Sequence, residues 1–275
     1  MRKILLPVFP ALFFIASCGK DETIPDETIP DEIPVSLDDL QDRGVNGFWN
    51  KDTQTPYTGE VVSSYLRGNN YMYKGNLKEG FKEGAWIEWY ADGMKKREAN
   101  YVDGKLEELV VDYWVNGNKK EEAEYFNDSL DGSFKSWFES GIMKSKGMYK
   151  GGKKDGLHEE WYTDGQKDGE ISFVDGERDG PRIKWFEDGK KNIETNWKKG
   201  ELDGLAIVWH ENGNKWEETQ FSNGLKHGWR KIWHDNKVPR VVEFYEEGLL
   251  NTKKHKPQYW KSDGTTALAE GFTDL

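Results

Sequence analysis

A ring recurs every 24 residues through the middle of this chain: Trp89, Tyr113, Trp137, Trp161, Trp185, Trp209 and Trp233 share one phase. Four further registers keep step with these anchors. Glycine stands four residues after each of the first six (Gly93, Gly117, Gly141, Gly165, Gly189, Gly213), with Lys237 in the seventh place. A ring stands twelve residues after all seven: Tyr101, Tyr125, Tyr149, Phe173, Trp197, Phe221 and Tyr245. Glycine returns fifteen residues after the anchor, interrupted by Asp128, and five before it, interrupted by Glu108. The unit reads W-[YFH]-x-[DN]-G-x-K-x-x-E-x-x-[YFW]-x-x-G-x-x-x-G-x-x-x-x. A unit this short cannot enclose a core of its own, so each copy must bury itself against its neighbours.

Asp92-Gly93, Asn116-Gly117, Asp164-Gly165, Asp188-Gly189 and Asn212-Gly213 predict two-residue hairpin turns, whose backbone needs positive φ. Leu205–Trp209 and Leu109–Tyr113 have strand composition, and Ile193–Trp197 alternates apolar with polar as a half-wetted strand does. One repeat is therefore one β-hairpin, with a looser second turn expected at Gly152–Gly156 and its equivalents. Chained hairpins make an all-β, elongated single-sheet solenoid that advances by about 10 Å per repeat. The anchors and the rings twelve residues later are expected side by side on one apolar face. Seven good repeats span about 75–250. Degenerate caps flank them: fragments at 59–74, and Trp260-Lys261-Ser262-Asp263-Gly264, three residues out of phase.

Rings must supply the core, because 14% of the chain is aromatic while all hydrophobic residues together reach only 35%. The one cysteine, Cys18, excludes an internal disulfide framework. Its setting gives it another use. Met1-Arg2-Lys3 is basic and Ile4–Ser17 is apolar, a secretion signal too short for the ~20 residues of a spanning helix. Ile15-Ala16-Ser17-Cys18 resembles the bacterial lipobox. That resemblance implies cleavage after residue 17, acylation of Cys18, and palmitate-type anchoring to the outer membrane, since several acyl chains hold where one binds marginally. The expected organisation is a signal peptide at 1–17, a lipidated acidic tether at 18–47 built on DETIP, DETIP and DEIP, and a repeat domain at 48–275. Lys20-Asp21-Glu22 also resembles the acidic export signal of surface-exposed bacterial lipoproteins. Losing Arg2 and Lys3 from 39 basic residues leaves 37 against 50 acidic, a net charge of −13 that argues against nucleic acid as a partner.

The unit as a whole resembles the bacterial variant of the MORN repeat, most closely in WYTDG at 161–165 and YKGGKKDG at 149–156. The resemblance covers about two thirds of the chain and implies a twisted sheet of consecutive hairpins. Some bacterial relatives are labelled antitoxins of toxin–antitoxin systems, a role that fits badly with a cleaved and lipidated export signal. Fold transfers through such a resemblance better than function does.

No residues are expected to be catalytic, to bind a cofactor or to ligate a metal. The glycine clusters are turns rather than phosphate loops, and no Ser-His-Asp set stands out from background. His210 and His234, each just after an anchor, lie a repeat apart, too far to share one ion, and are expected at solvated strand positions. The one candidate binding feature is the ring row directly after the anchors: Tyr90, Trp114, Phe138, Tyr162 and Phe186. Adjacent strand residues face opposite ways, so this row is expected on the face away from the anchors, either stacking on a ligand or shielding the hairpin backbone. The expected role is a lipid-anchored cell-envelope scaffold or protein-interaction surface, with an envelope or extracellular protein as partner. A carbohydrate-binding surface lipoprotein and an antitoxin-like or immunity protein are the alternatives.

Overall fold

The computed structural model describes residues 34–64 and 71–267; the signal segment, Cys18 and the DETIP repeats lie outside the described residues. Nineteen antiparallel strands follow one another in chain order from Gly59–Ser64 to Gln258–Tyr259. Among the described residues no register joins the last strand to the first, so the sheet is open. The array of consecutive hairpins expected from the 24-residue period is the array that forms. The C-terminal echo of the motif closes as its siblings do, with Gly264 N donating to the Lys261 carbonyl at 2.9 Å.

The two turn types are the reverse of the expectation. After each anchor the loop is a type I turn followed by a one-residue bulge. In the first good copy Gly93 N donates to the Tyr90 carbonyl at 2.9 Å, and Tyr90 N to the Met94 carbonyl at 2.8 Å. Only the glycine has positive φ, +88° at Gly93. The preceding Asp or Asn serves through its side chain instead: Asp92, Asn116, Asp164, Asp188 and Asn212 each accept the backbone N–H two residues on at 2.9–3.0 Å. The tight two-residue turns lie between the hairpins. Asp103/Gly104, Gly151/Gly152, Asp175/Gly176 and Asn223/Gly224 all have paired positive φ, the signature of a type I′ turn.

The bulge after the anchor decides which side chains share a face. Trp161 pairs with Lys167, but Glu160 pairs with Gly169, so Asp168 is an extra residue on the return strand. One extra residue shifts the alternation by one. Phe173 consequently lies opposite Gly156, and Ile171 opposite His158, while Trp161 shares the other face with Leu157 and Glu159. The anchors and the rings twelve residues later thus occupy opposite faces, which corrects the expected aromatic pairing. A second bulge sets Gly156, Leu157 and His158 against Gly147 alone; its two extra residues leave the alternation in phase.

The core sits on the face that carries the later rings. Those rings pack on the residue three before the anchor: Trp86 on Tyr101 at 6.3 Å between centroids, Phe134 on Tyr149 at 5.6 Å, and His158 on both Tyr149 and Phe173 at 5.3 and 5.2 Å. Small residues on the return strands make room for them. A Cβ on Gly147 would lie 2.2 Å from the His158 ring, and Ala99 and Ala123 fill the equivalent buried positions. At the N-terminal end Leu40, Val61, Leu77 and Trp86 form one buried cluster, against which Val35, Leu37 and Phe48 pack. The packed unit therefore begins at Pro34, ahead of the boundary expected at 48, because the apolar residues at 35, 37 and 40 close the end of the sheet.

The anchor face is organised by charge. The Lys and Glu of the consensus, six and nine residues after the anchor, pair as Lys95–Glu98, Lys119–Glu122, Lys167–Glu170, Lys191–Glu194 and Lys215–Glu218, the last four at 2.5–2.8 Å. Three of these lysines also lie over the next anchor ring: Lys119 on Trp137, Lys167 on Trp185 and Lys191 on Trp209, at 5.4–5.9 Å. Cation and ring attract one another most strongly where water is partly excluded, as beneath a lysine stem.

The three residues that interrupt the glycine registers keep the glycine backbone: Glu108 at φ +62°, Asp128 at +66° and Lys237 at +69°. A side chain in that region costs roughly 1–2 kcal/mol. Glu108→Gly and Lys237→Gly should each raise stability by about 1 kcal/mol in urea unfolding. Asp128→Gly should gain less, because the Asp128 carboxylate accepts Leu106 N at 2.7 Å and that bond is lost. Destabilisation by Glu108→Gly would contradict this account of the bulge.

Candidate functional site

The ring row that the sequence expects on the face away from the anchors lies instead along the edge formed by the type I turns. Tyr90, Trp114, Phe138, Tyr162 and Phe186 each occupy the first turn position, and all are partly buried. Their polar atoms reach across to the next repeat. The Tyr90 hydroxyl donates to the Tyr113 carbonyl at 2.8 Å, Trp114 Nε1 to the Trp137 carbonyl at 3.2 Å, and the Tyr162 hydroxyl to the Trp185 carbonyl at 2.7 Å. His210 and His234 continue the series, their Nε2 atoms lying 3.4 and 3.2 Å from the carbonyls of Trp233 and Trp260. A carbonyl only accepts, so each Nε2 carries the proton. These histidines are partly buried bridging groups rather than the solvated strand residues expected. In five of seven copies the row binds one hairpin to the next; Phe138 and Phe186 lack the polar atom.

The opposite edge is joined in the same way. The second residue of each type I′ turn donates its N–H to a carbonyl of the preceding repeat, as Gly104 does to Lys82 at 2.9 Å and Gly176 to Lys154 at 2.8 Å. An acidic residue six before the anchor accepts the other turn N–H. Glu83, Glu107, Asp131, Asp179 and Asp203 do so at 3.0–3.2 Å. Four of these five acids stand just ahead of a register glycine, and Glu107 precedes Glu108, which takes that glycine's place. The recurrent acid-Gly pair is the sequence signal for this role.

Concave places lie on both the turn edge and the ring face. On the turn edge, Tyr162, Phe186, Glu187, Asp188 and Glu211 line a shallow depression of about 350 Å³. On the ring face, a groove of about 220 Å³ is lined by Lys154, His158, Arg178, Arg182 and Lys184, by the apolar Ile171 and Phe173, and by Glu160, Gly169 and Glu170. Lys154 lies over the Phe173 ring at 5.1 Å and Arg178 over Trp197 at 4.6 Å. Lys184 Nζ is 3.3 Å from an Asp168 carboxylate oxygen.

Two titrations stand out around these places. Burial, then the Asp168 carboxylate, pushes the Tyr162 phenol up to about 12, so its hydroxyl remains a donor at neutral pH. His158 is 7% exposed, and its Nε2 lies 2.8 Å from the Met148 carbonyl. Burial, with a contribution from Lys154, holds it below its ordinary 6.5 although that hydrogen bond works the other way. Among the described residues no three His, Cys, Asp or Glu side chains gather as a metal would require.

The bridging role of the row makes opposite predictions for two equivalent positions. Tyr162→Phe should cost about 1 kcal/mol, the net worth of one hydrogen bond. Phe186→Tyr should recover a similar amount by reaching the next anchor carbonyl. Chemical denaturation reads both, and a neutral Tyr162→Phe would remove the bridging role. His158 gives a pH signature. Its folded pKa is depressed, so the unfolded chain takes up the proton first; stability is complete above about pH 6.5 and falls as pH drops below it. His158→Phe, copying Phe134 in the same register, should flatten the unfolding midpoint between pH 7 and pH 5.

No curated protein matches this chain. Four of its tandem units, residues 82–103, 130–150, 154–175 and 202–223, match the family described as the MORN repeat variant.

Proposed function

We propose that this chain is a lipid-anchored protein of the cell envelope whose repeat sheet is a scaffold for an envelope or extracellular protein. MORN repeats commonly mediate protein or membrane interactions and are generally non-catalytic. The observation that carries the reading is on the anchor face. Val102, Leu109, Phe126, Met148, Leu157 and Val174 lie there on six strands, each about half exposed. An array of apolar side chains presented between charged ladders is the composition of a protein-binding surface. Anchoring rests on the sequence Ile15-Ala16-Ser17-Cys18, and the acidic DETIP segment supplies a spacer between lipid and sheet.

A second reading has one observation in its favour. The depression between Tyr162 and Phe186 combines rings with the carboxylates of Glu187, Asp188 and Glu211, a mixture suited to a sugar ring. A glycan array separates the two: a hit lost on Phe186→Ala supports the carbohydrate reading.

For the main reading, the full-length protein is expressed in its own envelope and crosslinked. The wild type should capture a discrete partner, and Phe126→Glu with Leu157→Glu should lose it while unfolding at an unchanged midpoint. Capture that survives both changes removes the anchor face from the interface. In the same cells Cys18→Ser should abolish palmitate labelling and release the protein from the membrane fraction; retention on the membrane would overturn the lipid anchor.

A further inference from the structure

The repeat supplies its own control for the groove on the ring face. Three residues before the anchor, the core register reads Trp86, Val110, Phe134, His158, Arg182, Ala206 and Arg230, so two copies carry arginine in a position that elsewhere packs the core. Arg230 is satisfied from within the sheet. Its Nε donates to Glu217 at 2.8 Å and its Nη1 to Glu243 at 2.9 Å. Thr219 and Tyr245 donate to the same two carboxylates at 2.8 and 3.0 Å. Glu217 stands eight residues after the preceding anchor and Glu243 ten after its own.

Around Arg182 both acids are missing. The equivalent of Glu217 is Gly169, and the equivalent of Glu243 is Thr195, whose hydroxyl is engaged by Trp197 Nε1 at 2.9 Å. Arg182 keeps the same register, with Ile171 across from it on one side and Thr195 on the other, where Arg230 has Thr219 and Glu243. Among the described residues it has no bonded carboxylate; Glu160 and Asp168 act on it only through space. Burial, then the like charge of Arg178, pushes its pKa below the ordinary value, the cost expected of an arginine held without a counter-ion. The missing acid leaves space as well as charge, since Gly169 lines the groove that opens beside Arg182. A Cβ at Gly169 would meet nothing closer than 3.5 Å.

We propose that this groove is a carboxylate-binding site, in which an acid from outside the chain takes the place at Arg182 that Glu217 takes at Arg230. Arg182 supplies the planar donor fork. Arg178 and Lys154 add positive charge at the mouth, and Phe173 with Ile171 receives the apolar body that carries the carboxylate. The site lies on the opposite face from the apolar array of the scaffold reading and stands or falls independently of it. The carboxylate could come from a free small acid or from an acidic side chain of a protein, and the two sources are separable.

Glutarate and a peptide with one Glu between apolar residues are titrated by calorimetry into the mature protein at low salt. Binding of both marks a site for the free acid, and binding of the peptide alone marks a protein side chain; either supports the proposal. Arg182→Gln should weaken binding by tenfold or more, about 1.4 kcal/mol. Gly169→Glu should raise the unfolding midpoint and abolish binding, because the new carboxylate fills the place from inside. Should Arg182→Gln fold poorly, Gly169→Glu carries the test alone. No binding of either probe to the wild type, or undiminished binding to Gly169→Glu, would overturn the proposal.

Discussion

A single open sheet has no second layer to cover it, so each repeat depends on its neighbours to satisfy what it cannot satisfy itself. The dependence is most concrete in the backbone. Both edges of this sheet are rows of turns, and turns leave N–H and C=O groups without ladder partners. Here the next hairpin supplies them. Tyr90, Trp114 and Tyr162 donate to an anchor carbonyl one repeat on, and the type I′ residues Gly104 and Gly176 donate to a carbonyl one repeat back. The glycines of the type I′ turns and the acids six residues before the anchors follow from this arrangement. Losing one unit would expose polar backbone on both its neighbours, so stability is a nearest-neighbour property of the array.

The two faces answer the same problem with different chemistry. The ring face buries what it can by matching large to small: His158 fills the space over Gly147, and Trp86 the space over Gly75. The anchor face leaves its tryptophans half covered and shields them with the stems of lysines that are themselves paired to glutamates. Surface ion pairs of this kind contribute little one at a time, about 0–1 kcal/mol. Their use here is geometric, since in three of the five pairs the Glu holds its Lys over a ring. Water is kept from the rings without the sheet becoming apolar throughout, which fits a chain with 32% charged residues.

The period, the hairpins and the rows were legible in the sequence because they follow from spacing alone. Turn type and face were not. Asp-Gly suits a type I′ turn, yet it equally suits a type I turn with glycine at the bulge, and the flanking register decides between them. The residue that decides it, Asp168 in the clearest copy, is an ordinary polar side chain with nothing to mark it as an extra residue. Without it every later ring moves to the wrong face, and spacing alone therefore pairs the anchors with Phe173 and its equivalents. The candidate row fared differently. Its positions and regularity were plain, but whether a Tyr hydroxyl faces a ligand or the carbonyl of Trp185 depends on how far one hairpin stands from the next. The groove at Arg182 was not anticipated, because its meaning lies in what Gly169 and Thr195 lack relative to Glu217 and Glu243.

That contrast also shows what repetition permits. Along the core register Trp86, Val110 and Phe134 are followed by His158, Arg182, Ala206 and Arg230, so apolar packing gives way to a polar or ionic group at three of the last four copies. In a globular core a buried arginine without its acids would threaten the whole fold. In a linear array the penalty stays within one hairpin and its two neighbours, because units farther along the sheet do not touch it. Arg230 shows what the backbone at this register can do with a cation when Glu217 and Glu243 are present: hold it, with burial working against charge on Glu217 and the Arg230 and Thr219 hydrogen bonds outweighing it. Arg182 has the same backbone and the same cation with the acids removed. A fold that repeats its geometry can therefore leave one register open to a ligand while an equivalent register, two units away, is closed by the chain's own side chains.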